Sequence, residues 1–182
     1  MRRTQYYTAT TLDGFIADRN HSLDWLFTRD QDRAGPLNYA SFISQIGALT
    51  MGSKTYEWIL DHEFKDKAPD DWKWPYDISS WVFTHRELQA VPGAEISFTS
   101  ADVAAVHAEM VGAAGDRNLW IVGGGDLAGQ FADAGLLDEV IVYVAPVTLG
   151  EGAPLLPRRL ELNLEETARN GDFVTARLSV VR

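Results

Sequence analysis

Leu119-Trp120-Ile121-Val122-Gly123-Gly124-Gly125-Asp126-Leu127-Ala128-Gly129 is the stretch on which the reading of this chain turns. Four apolar residues run into three glycines, and an amphipathic segment over residues 127–134 follows. That order predicts a buried strand, a tight turn and a helix start. Glycine has no Cβ, so three in succession let a ligand approach bare backbone. The unpaired N–H groups and the positive dipole end of the helix favour an anion there. The competing reading is a flexible loop that only joins a core strand to a helix.

Similar strand-to-helix junctions recur on either side. Residues 5–11 are β-rich and end at Asp13-Gly14, a turn signal, and residues 15–17 resume the pattern. Residues 18–36 are polar but carry Leu23, Trp25, Leu26 and Phe27, the pattern of a functional lid. Residues 38–45 fit a short helix, 48–51 a buried strand, and Gly52-Ser53-Lys54-Thr55 opens a helix through residue 60 with Ser53 as N-cap. Residues 61–77, which include Trp72-Lys73-Trp74-Pro75, read as a loop that forms either a flap or a partner interface. Strands are expected over 79–84 and 95–99, a helix over 101–113 capped by Ser100, and a C′ glycine at Gly135. A strand over 139–145, a Gly/Pro-rich loop over 146–157 and a hairpin over 160–168 and 173–181, turning at Asn170-Gly171, complete the chain. Strands alternate with helices to about residue 145 and then run alone. The fold class is therefore α/β: a mostly parallel central sheet flanked by helices, with an antiparallel C-terminal hairpin, in one domain over 1–182. Ligands in such sheets bind outside the carboxyl ends of the strands, here after Thr11, Met51, Thr84 and Val122.

Composition narrows the function. Sixteen Lys+Arg against 26 Asp+Glu give a formal net charge of −10 over 182 residues, which argues against a nucleic-acid surface. A phosphorylated ligand must then be held by a local device against the net field. The absence of cysteine excludes disulfides, thiolate metal sites and cysteine nucleophiles. His21, His62, His85 and His107 match no metal-ligand spacing, and His107 is expected on a surface helix. No apolar run reaches membrane-spanning length, and Met1-Arg2-Arg3 leads into a strand pattern rather than a secretory segment. A cytoplasmic protein with no membrane partner is expected.

Gly123-x-Gly125-x-x-Ala128 fits a relaxed dinucleotide fingerprint, but it lies late in the chain. No acidic residue follows at the end of the next strand, and Asp126 puts a negative charge at the helix start. A Rossmann domain is therefore disfavoured, and no P-loop motif is present. Met51-Gly52-Ser53-Lys54-Thr55-Tyr56 repeats the same physics with a cation, and Thr84-His85-Arg86 ends a third strand with a hydroxyl and a cation.

With these junctions, and with Thr11-Leu12-Asp13-Gly14-Phe15-Ile16-Ala17, Gly135-Leu136-Leu137-Asp138-Glu139 and the run Pro146 to Leu155, the sequence resembles the dihydrofolate reductase-like superfamily. Its closer match is the branch of the C-terminal reductase domain of the bifunctional riboflavin-biosynthesis deaminase/reductase. The resemblance implies an NADPH-dependent reductase that passes hydride to a C=N or C=O carbon of a small heterocycle or carbohydrate-like substrate, as a homodimer with its terminal strands in contact. It places Gly52, Ser53, Lys54, Thr55, Thr84, His85 and Arg86 at the adenosine phosphates. Gly123, Gly124, Gly125, Asp126 and Leu127 would lie under the pyrophosphate and nicotinamide side. Ala17, Asp18 and the 23–25 segment would form a lid, and Trp25, Tyr39, Phe42 and Tyr143 would line the substrate pocket. No catalytic residue is assigned; a proton would come from water or from Asp13, Asp18 or Asp24.

Two departures stand out. Relatives usually carry arginine directly after the strand-end glycine, where this chain has Ser53 and then Lys54; lysine lacks the bidentate fork. Dihydrofolate reductases place a pterin-binding carboxylate where this chain has Leu37 or Asn38, which argues against dihydrofolate as substrate. The alternative function is a non-catalytic nucleotide- or flavin-binding protein that keeps the cofactor groove.

Overall fold

The computed structural model describes residues 2–182, so Met1 of the basic N-terminal stretch lies outside it. The chain runs β1 (Thr4–Thr11), β2 (Phe15–Ala17), α1 (Asp24–Phe27), α2 (Tyr39–Ile43), β3 (Ile46–Gly52), α3 (Ser53–Phe64), β4 (Ser79–Phe83), β5 (Ile96–Thr99), α4 (Val103–Ala114), β6 (Asn118–Gly123), α5 (Gly125–Asp133), β7 (Glu139–Ala145), β8 (Ala153–Pro154), β9 (Leu162–Asn170) and β10 (Phe173–Val180). Eight strands form one sheet in the order β5-β4-β3-β6-β1-β7-β10-β9, while β2 and β8 pair separately. Pairing is parallel from β5 through β7 and antiparallel for β10 with β7 and with β9. This is the expected mostly parallel α/β sheet with an antiparallel hairpin.

β3, β6 and β7 are largely apolar without alternation because helices cover both faces, whereas β1 between them buries Thr4, Gln5, Thr10 and Thr11 beside its tyrosines. In β3 six of the seven residues are buried. One face packs Trp25, Phe42, Tyr56, Ile59 and Phe64, from α1, α2 and α3, onto Tyr7, Leu49, Met51 and Trp120. The other packs Val106, Met110, Leu127 and Phe131, from α4 and α5, onto Tyr6, Leu119, Ile121 and Val140. Consequently α3 leaves the end of β3 on one face and leads to β4, while α5 leaves the end of the neighbouring β6 on the other face and leads across β1 to β7. Two crossovers that depart in opposite directions from adjacent parallel strands define a topological switch point, and a crevice opens there at the carboxyl edge.

Several boundaries differ from the sequence reading, each for a local reason. Ser53 is the first residue of α3 rather than its cap, because Gly52 takes the extended cap conformation. Asp102, not Ser100, caps α4, its carboxylate accepting from the Ala104 N–H at 2.8 Å. α3 continues to Phe64, where burial of that ring and its stacking on Trp72 at 5.0 Å reward an extra turn. The hairpin turns at Gly171-Asp172, one residue later than expected, because Asn170 is held in the strand. Its amide accepts from the Asp32 N–H at 2.8 Å and donates to the carbonyls of Asp32 and Pro36. Gly135 closes α5 as expected. Its N–H reaches the Ala132 carbonyl and that of Leu136 reaches Phe131, which is the Schellman pattern.

Candidate active site at the carboxyl edge of the sheet

The two helices that start at the switch point share a feature that the other capped helices lack. α3 and α5 both have glycine N-caps, Gly52 and Gly124, and neither cap has a side chain to offer. By contrast the Asn38 side chain accepts from the Ser41 N–H in α2, and Asp102 caps α4. The opening N–H groups of α3 and α5 thus have no side-chain acceptor. A Cβ on Gly52 would meet nothing within 4 Å, and one on Gly124, at φ +94°, would meet only the Leu127 Cβ at 3.6 Å. This is an open, donor-lined cradle of a shape suited to a phosphate chain.

The glycine triplet therefore divides by task. A Cβ on Gly123 would lie 2.8 Å from Thr55 Oγ1, so this glycine lets β6 close against the first turn of α3. One on Gly125 would lie 2.8 Å from the Leu155 carbonyl carbon and nearer still to the oxygens of Pro154 and Leu155. Only Gly124 faces open space. Backbone packing, as well as ligand approach, explains the run.

Charge at this edge is largely neutralised. Arg86 grips Glu57 through two hydrogen bonds of 2.9 and 2.7 Å, which raise the guanidinium pKa further. Arg158 bridges Asp126 at 3.0 Å and Asp133 at 2.8 Å, and Arg19 pairs with Glu151 at 3.0 Å. Asp126, at the start of α5, is held below the usual carboxylate range by Gln130 and then by Arg158. Among the described residues Lys54 has no carboxylate within ion-pair distance; its Nζ lies 3.0 Å from His21 Nε2. Ser53 and Thr55 sit half-buried in the same turn, while Thr84 accepts from the Arg86 N–H at 2.9 Å and His85 is exposed.

The lid segment folds back on this edge. Ala17 pairs with Ala153 in the small β2–β8 sheet, and the Asp18 carboxylate accepts from the N–H groups of Asn20 and Ser22 at 2.7 and 2.8 Å. That occupation explains Asp18 as a turn-former. His21 stands at φ +61° in the same turn. Trp25 is buried, and its indole N–H has no hydrogen-bond partner among the described residues. Tyr39, Phe42 and Tyr143 gather around Tyr7, with ring centroids 6.2, 4.2 and 5.6 Å away. Phe42 and Tyr143 are buried, and the Tyr143 hydroxyl donates to the Pro36 carbonyl, whereas Tyr39 is 40% exposed. Tyr7 and Trp120 complete this aromatic floor, and Trp120 also meets Tyr76, three residues before β4 at the amino edge. In the sequence Tyr7 and Trp120 stand out only as strand residues, because their meeting depends on β1 and β6 pairing. Asn38 caps α2 and donates to the Gly35 carbonyl at 2.8 Å, and Leu37 stands at φ +55°, so neither residue read at the pterin-carboxylate position offers a charge.

Two other sequence candidates lie elsewhere. The 72–75 segment borders a cavity of about 390 Å³ with Ile78 and Glu95, at the amino ends of β4 and β5. It is thus at the opposite edge from the glycine-capped helices and cannot be a flap over them. His107 is half-buried rather than on an open surface. Its Nε2 lies 2.9 Å from Thr4 Oγ1, and burial lowers its pKa.

Asp13 belongs to the scaffold. Its carboxylate accepts from Thr11 Oγ1 at 2.6 Å and from the N–H groups of Gly150 and Leu149 at 2.7 and 3.0 Å, tying the end of β1 to the loop before β8. The Thr11 hydroxyl, with the two backbone donors, lowers its pKa. A carboxylate depressed in the folded state stabilises above its unfolded pKa of about 3.9, and that contribution vanishes as pH falls through the lower folded value. Asp13→Asn should therefore melt at a lower temperature than the parent at pH 6. Thermal scans against pH should show the two converging below about pH 4.

The profile of the RibD C-terminal domain matches residues 54–171, a span that runs from the second residue of α3 through the whole of α5 to the hairpin turn. The chain belongs to the RibD C-terminal domain family. The uncharacterized protein YwjB of Bacillus subtilis (strain 168) is 32% identical over 177 residues, covering 95% of each chain. Among solved structures, a Shewanella sp. PV-4 protein named for riboflavin biosynthesis superposes with a TM-score of 0.80 at 24% identity over 99% of both chains. The Thermotoga maritima diaminohydroxyphosphoribosylaminopyrimidine deaminase/5-amino-6-(5-phosphoribosylamino)uracil reductase gives 0.66 at 16% identity, covering 99% of this chain and 57% of that one. These likenesses establish the RibD-type, dihydrofolate reductase-like fold. RibD C-terminal domains are reductase-type domains.

Proposed function

We propose that the protein is an NADPH-dependent reductase whose cofactor phosphates rest on the amino ends of α3 and α5 at the switch point. The observation that carries this reading is the pair of glycine-capped helix starts, open to a ligand, on adjacent strands. NADPH supplies the hydride when bound. Gly52, Ser53, Lys54 and Thr55 hold one part of the phosphate chain, and Gly124 admits the other close to the backbone. Thr84 and His85 border the adenosine end, with Arg86 acting through Glu57 to stiffen α3. The buried, unpartnered indole N–H of Trp25 supports an acceptor group of cofactor or substrate under the lid, which also excludes water.

The substrate class that fits is a small heterocycle with a reducible C=N or C=O bond, set beside Tyr39 and the Tyr7–Phe42–Trp120 aromatics. Neither Leu37 nor a neutral Asn38 can make the charge-assisted contact that a protonated pterin needs, so a pyrimidine of the riboflavin type is favoured over dihydrofolate. Residues 1–182 act as one cytoplasmic domain and pair as a homodimer. Exposed Leu164 and Val174 on the terminal strands, with Val181 just after them, support that pairing.

Titration with NADPH is expected to give energy transfer from tryptophan to the reduced nicotinamide and saturable binding. NADPH should then be consumed with 5-amino-6-(5-phosphoribosylamino)uracil and not with dihydrofolate. Binding without turnover on any C=N or C=O substrate would leave the non-catalytic alternative, and absence of binding would sink the reading.

A further inference from the structure

We infer that His21 and Lys54 form a two-residue clamp on the anionic group of the cofactor, so that the lid turn itself becomes part of the phosphate site. The inference rests on the cofactor reading above. His21 belongs to the turn after β2, and Lys54 to the first turn of α3, 33 residues later. Their side chains nevertheless meet, with Lys54 Nζ 3.0 Å from His21 Nε2. An ammonium can only donate, so the ring nitrogen accepts in this contact.

Three observations make this pair a ligand device rather than a surface contact. First, the arginines along this edge are committed to carboxylates: Arg86 to Glu57, Arg158 to Asp126 and Asp133, and Arg19 to Glu151. Lys54 alone among these cations has no carboxylate partner. Second, Lys54 stands beside N–H groups that no side chain caps, at a glycine with open space before it. A phosphate drawn to those donors comes within reach of Nζ, and so of the imidazole already touching it. Third, the turn that presents His21 is pre-set: its left-handed φ of +61° is one that histidine enters more readily than most side chains, and the Asp18 carboxylate ties the turn down through the Asn20 and Ser22 N–H groups.

The pair thereby answers the missing arginine after Gly52. One arginine offers a forked donor to phosphate, and lysine offers a single point charge. Lys54 with His21 supplies two donors from two segments. When an anion is seated, the His21 ring donates an N–H to it, and the lid turn is drawn onto α3.

The test is calorimetric binding of NADP⁺, inorganic pyrophosphate and adenosine to the parent protein and to His21→Gly, His21→Asn and Lys54→Met, with a melting temperature for each. Glycine and asparagine both tolerate a positive φ, so these variants should fold at least as well as the parent. Loss of one charge-assisted phosphate contact should weaken NADP⁺ and pyrophosphate about tenfold in either His21 variant and at least as much in Lys54→Met, with adenosine unchanged. Parent-like NADP⁺ and pyrophosphate affinity in both His21 variants would overturn the clamp while leaving the cofactor site standing. Equal weakening of adenosine would overturn it too, as a general loop effect. Failure of the parent itself to bind NADP⁺ or pyrophosphate would remove the cofactor reading and the clamp together.

Discussion

Gly125→Ala is expected to cost about 3–5 kcal/mol of stability, one of the largest single effects available in this chain. The added Cβ would be driven into the carbonyls of Pro154 and Leu155. These are backbone atoms and cannot swing aside. The same segment is held from the other side: the Leu155 N–H donates to the Gly14 carbonyl at 2.8 Å, and its carbonyl accepts from the Tyr6 hydroxyl at 3.0 Å. Either β8 is pushed away from β2, or α5 shifts off the sheet where Leu127, Ala128 and Phe131 are buried. At roughly 2–4 °C per kcal/mol for a chain of this size, thermal melting should fall by roughly 6–20 °C. Gly52→Ala, whose Cβ meets nothing within 4 Å, is the matched control and should melt within about 2 °C of the parent. A Gly125→Ala loss below about 1 kcal/mol would mean that the 153–155 segment yields, and that the third glycine of the run is not a packing requirement.

Gly52→Asp should move stability and binding in opposite directions. Gly52 occupies the extended N-cap conformation, φ −82° and ψ 163°, with no obstacle to a side chain. An aspartate there can accept from the first-turn N–H groups of α3, as Asp102 does for α4. The helix should gain about 1 kcal/mol, in the usual range for a cap. The same carboxylate would occupy the place proposed for a phosphate. Like charges 4 Å apart repel by about 4 kcal/mol at an effective dielectric of 20, so NADP⁺ affinity should drop on the order of a hundredfold or more. Melting curves and NADP⁺ calorimetry on one preparation read both signs. A variant that is stabilised yet binds NADP⁺ like the parent would show that the amino end of α3 does not hold the phosphates.

How far the sequence leads depends on whether a feature is local. The strand–glycine–helix order at 119–129 and at 51–56 is local, and both elements stand where the pattern puts them, because an apolar run and a glycine cap need no distant partner. The Schellman end at Gly135 is readable for the same reason. Features set by contacts far along the chain are not. Asn170-Gly171 looks like a turn, yet Asn170 is claimed by Asp32 and Pro36, which shifts the hairpin by one residue. Arg86 reads as a phosphate ligand from its strand-end position, and only the fold shows that Glu57, one helical turn into α3, already holds it. His21 reads as a bystander because nothing nearby in sequence reveals its contact with Lys54. The three glycines look alike as letters, and their division into two packing positions and one open position depends on Thr55 and on residues 154–155.

The most direct test of the phosphate crevice at the switch point is a crystal structure of the protein with NADP⁺. The expected result is pyrophosphate density between the amino ends of α3 and α5, within hydrogen-bond distance of the backbone N–H groups after Gly52 and Gly124, with Lys54 on a phosphate oxygen. Dinucleotide density at the amino edge of the sheet, or against the terminal hairpin, with the Gly52 and Gly124 turns untouched, would contradict the account.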